Sequence, residues 1–129
     1  MTKPTRDSYL ATRFGNVPCY IGIDKIFALL PGSNATVFID VPQIAPNARN
    51  ALDSSETPTA LFNRMFPLGA PVDWMQVNAN GVGFILMDKI VAISPAGPVA
   101  NAGSFITFTD GRSLQVNDDT ATLWQRLGP

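Results

Sequence analysis

Apolar and polar positions along the chain fall into two runs of the same shape. Tyr20-Ile21-Gly22-Ile23-Asp24-Lys25-Ile26-Phe27-Ala28-Leu29-Leu30-Pro31 is echoed 64 positions later by Phe84-Ile85-Leu86-Met87-Asp88-Lys89-Ile90-Val91-Ala92-Ile93-Ser94-Pro95. A strand buried on both faces does not tolerate an adjacent charged pair. The pattern therefore predicts a bend or bulge at Asp24-Lys25 and at Asp88-Lys89, with the charges facing out. Second strands follow over 36–40 and 106–110, with Phe38 matched to Phe108 and Asp40 to Asp110 at an offset of 70. The additional residues sit in the loop 96–103, where an insertion costs little. A closing helix is predicted in each run. Thr57 caps the first with Pro58 at its first position, and Asp119 occupies the equivalent place before Thr120. Leu61 and Met65, like Leu123 and Leu127, share a buried face; Phe62 and Trp124 widen it, and Arg64 and Arg126 lie on the solvent edge. Gly128-Pro129 is the stop signal of the second helix.

Asp110-Gly111 is the strongest hairpin signal in the chain. A three-residue loop, Thr109-Asp110-Gly111, with Gly111 left-handed, pairs Phe108 with Arg112 and Ile106 with Leu114. That register gathers Ile106, Phe108, Leu114 and Val116 on one face, which a two-residue turn would not do. In the first run Val41-Pro42-Gln43-Ile44-Ala45-Pro46 takes this place, and its prolines suit an edge or a loop.

The order of these blocks describes an α+β chain, mainly antiparallel β, built as a tandem internal duplication with pseudo-twofold symmetry: a β-meander closed by a short helix, twice. The expected divisions are an N-terminal arm over 1–18, a first repeat over 19–66, a packed connector over 67–83 in which Trp74, Met75 and Val77 form a packed strand or belt, and a second repeat over 84–129. Each repeat would be marginal alone, so the two are expected to share one core.

Ile90-Val91-Ala92-Ile93, the Asp110-Gly111 turn, Val116 and the closing helix give the second repeat a loose resemblance to LytTR-type DNA-binding modules, over some forty residues. The resemblance implies a small strand-rich regulator. No basic recognition element accompanies these residues in the sequence.

Composition shifts the reading towards interfaces. Charged residues make up 15% of the chain and apolar residues 46%, against a usual charged share of about 25%. That shortage predicts surface buried against other subunits. Net charge is −1, which provides no field for steering towards nucleic acid or anionic lipid. Lys3, Arg6 and Arg13 make the arm only mildly basic. Cys19 is the single cysteine, which excludes an intrachain disulfide and a cysteine-based zinc cage; its apolar setting predicts a buried structural role. No apolar run reaches membrane-spanning length, and Met1-Thr2-Lys3-Pro4 leads into polar residues without an apolar signal core. The chain is thus expected to be made in the cytoplasm.

Catalytic chemistry finds few candidates. The chain has no histidine, which removes the commonest general base and metal ligand. Asp110, Asp118 and Asp119 are the carboxylates an enzyme would have to bring together, and capping accounts for the last two more simply. Asn80-Gly81-Val82-Gly83 lacks the lysine of a phosphate loop and reads as a turn. No catalytic, cofactor or metal site is expected.

The function expected on these grounds is non-enzymatic: a structural assembly subunit, specifically a virion component such as a phage capsid cement or head-tail accessory protein. Its partners would be copies of itself or a major capsid or tail protein, in an oligomer or particle, with nucleic acid set aside and no membrane. Arg6, Arg13, Phe14, Trp74 and Met75 are the expected contact residues, and the particle the final location. The alternative is a small regulatory module that binds nucleic acid or a protein, with salt-sensitive contacts through Arg64, Arg112 and Arg126.

Overall fold

The computed structural model describes residues 6–32, 35–41, 51–99 and 102–127. Where an arm was expected, the described residues form a 3-10 turn at Arg6–Ser8 and then a hairpin, β1 (Tyr9–Phe14) and β2 (Val17–Gly22). Leu10 faces Ile21 and Thr12 faces Cys19 across it, so alternate side chains turn inward. Leu10, Thr12 and Ile21 are buried and Cys19 is half-buried against the same core. The alternation Leu10, Thr12 is too short to be distinctive in a polar segment, which is why this strand was not expected.

A 3-10 turn at Ile23–Lys25 breaks the apolar run where the Asp-Lys pair stands, and its equivalent is Met87–Lys89. Each turn redirects the chain from a hairpin strand into a different sheet. After the first come β3 (Ile26–Leu30), β4 (Ala35–Ile39), β5 (Ala51–Ser54) and helix α1 (Pro58–Met65). The expected connector contains a strand, β6 (Trp74–Asn78), which pairs with β7 (Val82–Leu86). After the second turn come β8 (Ile90–Pro95), β9 (Ser104–Phe108), β10 (Ser113–Val116) and helix α2 (Thr120–Arg126). The fold is α+β: antiparallel sheets with two short helices. Residues 42–46 and Gly128-Pro129 lie outside the described residues.

Three sheets result: β1-β2, a central β5-β4-β3-β7-β6, and β10-β9-β8. β3 is buried at every position because both faces of the central sheet are covered. One core unites Leu10 and Ile21 of the hairpin, Leu29 and Val37, Leu61, Phe62 and Met65 of α1, and Phe84. The other unites Phe27, Ala28 and Leu30 with Met75, Ile85, Ile106, Phe108, Val116 and Leu123. Each core takes residues from both halves of the chain.

The 108–112 hairpin has the predicted three-residue loop. Leu114 faces Ile106, the Phe108 amide donates to the Arg112 carbonyl at 2.8 Å, and Gly111 has φ +90°. The expected match of Phe38 to Phe108 is corrected. A register slip between Ile26 and Ala28 recurs between Ile90 and Ala92; Ala28 then faces Phe38, and Ala92 faces Thr107. Phe38 is therefore the counterpart of Thr107, at an offset of 69, and buried Val37 that of buried Ile106. The shared Phe-x-Asp spacing misled, because burial follows the pleat and not residue identity. At the start of β9, Gly103 has φ +87°, and a Cβ there would fall 2.5 Å from the Val116 carbonyl oxygen; only glycine fits.

Both helix caps are as expected. The Thr57 hydroxyl accepts from the Ala60 amide at 3.1 Å and the Asp119 carboxylate from the Thr122 amide at 2.8 Å. Trp124 is the exception: it is 71% exposed, whereas Phe62 is 5% exposed. No helix among the described residues is long and apolar enough to cross a membrane.

Candidate functional site

Two grooves run along strand edges, one beside β1 and one beside β6. In each, the helix that closes the preceding meander sends an arginine to an edge carbonyl. Arg64 Nη2 donates to the Ala11 carbonyl at 2.6 Å, and Arg126 Nη1 to that of Gln76 at 2.9 Å. Each arginine also grips a carboxylate eight residues before it. Arg64 holds both oxygens of Glu56, Nη2 lying 2.7 Å from Oε2; Arg126 holds Asp118 at 2.6 Å. Bidentate guanidinium-carboxylate pairing of this kind is strong and directional. It keeps the Glu56 carboxyl ionised: its pKa drops to about 2, chiefly through Arg64 and with help from the Thr12 hydroxyl, against burial that raises it.

The grooves differ in charge. The groove beside β6, about 830 Å³, is lined by Gln76, Asn78, Gly81, Asp118 and Arg126, and its arginine and aspartate cancel. The smaller one beside β1, about 350 Å³, is lined by Thr12, Arg13, Asn16, Tyr20, Glu56 and Arg64. Two guanidiniums there face one carboxylate. Arg13 projects from the outer face of the hairpin with Tyr9, Ala11, Pro18 and Tyr20, since these residues face one another across β1 and β2.

Cations are committed unevenly. Lys89 pairs with Asp40 at 2.7 Å, Arg112 with Asp110 at 2.6 Å, and Arg126 with Asp118. Arg112 also lies over the Phe38 ring at 4.0 Å from its centroid and donates to the Ile39 carbonyl, so it holds the two halves together. Arg6, Arg13 and Lys25 are exposed and make no ion pair among the described residues. All three belong to the hairpin or flank it. Residues 1–25 hold four cations against two aspartates, and the rest of the chain five cations against eight acids. Among the described residues, the cations outside ion pairs therefore gather at the β1–β2 end.

The expected contact residues part company. Arg6, Arg13 and Phe14 are exposed on or beside the hairpin. Met75 is 3% exposed and belongs to the second core, so it makes no external contact. Trp74 is half-buried, 5.5 Å from the Phe62 ring and 5.6 Å from that of Phe66. The candidate carboxylates do not converge. Asp110 and Asp118 flank opposite ends of β10, Asp119 caps α2, and no group of three metal-ligating side chains occurs among the described residues. Tyr20 and Asn16 were not singled out from sequence, because only the pairing of β1 with β2 sets them beside Arg13 and Arg64.

No protein-family model matches the sequence, and no curated protein matches it. Among solved structures, the chain is similar to the LytTr DNA-binding domain of a protein described as a methyl-accepting/DNA response regulator from Bacillus cereus. Identity is 12% and the TM-score 0.55, over 93% of this chain and 95% of that one. This likeness corrects the expected virion subunit, with its capsid or tail partners, and the setting aside of nucleic acid. What the likeness shows of this chain is the fold: mostly antiparallel β sheets with two short helices, an α+β architecture.

Proposed function

We propose that this chain is a regulatory module that binds nucleic acid, with the β1–β2 end as the surface that meets the phosphate backbone. The observation that carries this is its likeness, over 93% of its length, to a domain that binds DNA. The placement of Arg6, Arg13 and Lys25 supports the choice of surface, because cations already held by carboxylates are less available to phosphates. Non-enzymatic action is part of the same reading. The test is fluorescence anisotropy with labelled duplex and single-stranded DNA across a salt series. Affinity is expected to fall steeply with salt, log K dropping by about 0.9 per phosphate contacted on duplex for each tenfold rise in salt. Arg13→Ala and Lys25→Ala should each weaken binding and reduce that slope by about 1. Absence of salt-sensitive binding at low ionic strength to either form would overturn the proposal.

The same reading includes a tandem duplication, with units of hairpin, 3-10 turn, three-strand meander and helix over 9–65 and 74–126. It is supported by the repeated element order, by the register slip at Ile26/Ala28 and Ile90/Ala92, and by the Arg64 and Arg126 carbonyl contacts. On this reading each unit starts one strand earlier than positions 19 and 84.

A further inference from the structure

We propose that copies of this chain join head to tail, β8 of one copy against β2 of the next, repeating between molecules the β3–β7 junction found within one. The inference rests on the duplication reading and not on nucleic-acid binding.

Within the chain, the first meander and the second hairpin meet where Ala28 faces Ile85 and Leu29 faces Phe84. α1 lies over the seam: Phe62 stacks on Phe84 with centroids 4.1 Å apart and planes 4° from parallel, and Trp74 closes against Phe62. Phe62 and Phe84 are 5% and 8% exposed. Among the described residues, each half of this junction has a counterpart without a strand mate. β8 is the outer strand of its sheet, and β2 has β1 as its single partner. Ala92 and Ile93 stand where Ala28 and Leu29 stand, Ile21 and Tyr20 where Ile85 and Phe84 stand, Trp124 where Phe62 stands, and Tyr9 where Trp74 stands.

Exposure follows this correspondence. Trp124 is 71% exposed, Tyr20 67% and Tyr9 41%: three aromatic side chains in water at the positions that form a closed aromatic cluster inside the molecule. Edge strands in monomers are blunted by charge, proline or a bulge; Val17–Gly22 and Ile90–Pro95 contain no charged residue. Pro18 and Pro95 would not interrupt the ladder, because the two pairs it needs, Ala92 with Ile21 and Ile93 with Tyr20, involve neither. The joined surfaces differ from one another, so one junction leaves both outer ends free and addition can continue as an open chain or close as a ring. The Arg13 groove stays accessible. Its counterpart beside β6 is open although β6 and β7 are packed under α1.

The test is sedimentation velocity without nucleic acid, from micromolar to millimolar chain. The wild type should gain mass with concentration beyond a dimer or reach a closed ring. Trp124→Ser and Tyr20→Ser, each with unchanged circular dichroism, should be monomers. An equimolar mixture of the two variants should form a species of two chains, because one intact α2 end and one intact hairpin end remain. A wild type that stays monomeric throughout overturns the proposal. So does a mixture that stays monomeric while the wild type associates, since the contact would then lie elsewhere.

Discussion

Glu56 is the one glutamate in the chain and answers to three partners: Arg64, Thr12 and, through charge alone, Arg13. Its folded pKa of about 2 lies below the ordinary 4.5, so the folded state holds fewer protons in this range than the unfolded one. The stabilisation is complete above about 4.5 and is lost as pH falls through about 2. Allowing for solvent screening at the exposed Arg64, it is worth about 1–2 kcal/mol. Urea unfolding of Glu56→Gln should show that loss at neutral pH and a shallower decline between pH 4.5 and 2 than the wild type. Equal decline in both would assign acid sensitivity to other carboxylates. From sequence Arg64 is a solvent-edge residue, with nothing to name Glu56 as its partner. The partner lies eight residues upstream, out of reach along a helix, and is delivered by the loop between β5 and α1.

Elements set by local chemistry were legible. A capping threonine followed by proline, an Asp-Gly turn between apolar strands, and a charged pair inside an apolar run each act over a few residues, and each stands where expected. The Thr57 cap should therefore behave as an independent feature: Thr57→Ala is expected to cost about 1 kcal/mol, read as a lowered urea midpoint with unchanged slope. A changed slope would mean that α1 anchors more than its own first turn. β1 and β6 were not legible as hairpin strands. The arm expected over 1–18 contains β1, and the packed strand or belt expected at Trp74, Met75 and Val77 is β6; their inward positions are few, so spacing does not reveal their pairing with β2 and β7. The match of Phe38 to Phe108 failed for a related reason: one bulge shifts side-chain facing by one position, and identical spacing does not reveal it.

At the scale of the whole molecule, the halves are interlocked. Phe84 from the second hairpin completes the core beneath α1, while Phe27, Ala28 and Leu30 from the first meander complete the core of the second half. Lys89 reaches Asp40 and Arg112 reaches the Ile39 carbonyl across the same seam. Neither half buries its apolar face alone, so unfolding should be a single transition with equal calorimetric and van't Hoff enthalpies. Two separable transitions would show that the β3–β7 seam opens before the cores do. Where one shared core was expected there are two, each drawing on both halves of the chain, because a sheet covered on both faces has two apolar sides to fill.

The sequence by itself determined the α+β class, the breaks at Asp24-Lys25 and Asp88-Lys89, the three-residue hairpin loop and both helix caps, since these depend on backbone sterics and hydrogen bonds between near neighbours. Only the tertiary structure decided which of two matching aromatic residues is covered. Phe62 and Trp124 each stand five residues past a helix cap, and Phe84 and Tyr20 each three residues before a 3-10 turn, yet one of each pair is buried and the other lies in water. Burial belongs to the neighbour across the contact, and that neighbour is chosen by the joining of β3 to β7, residues more than fifty positions apart.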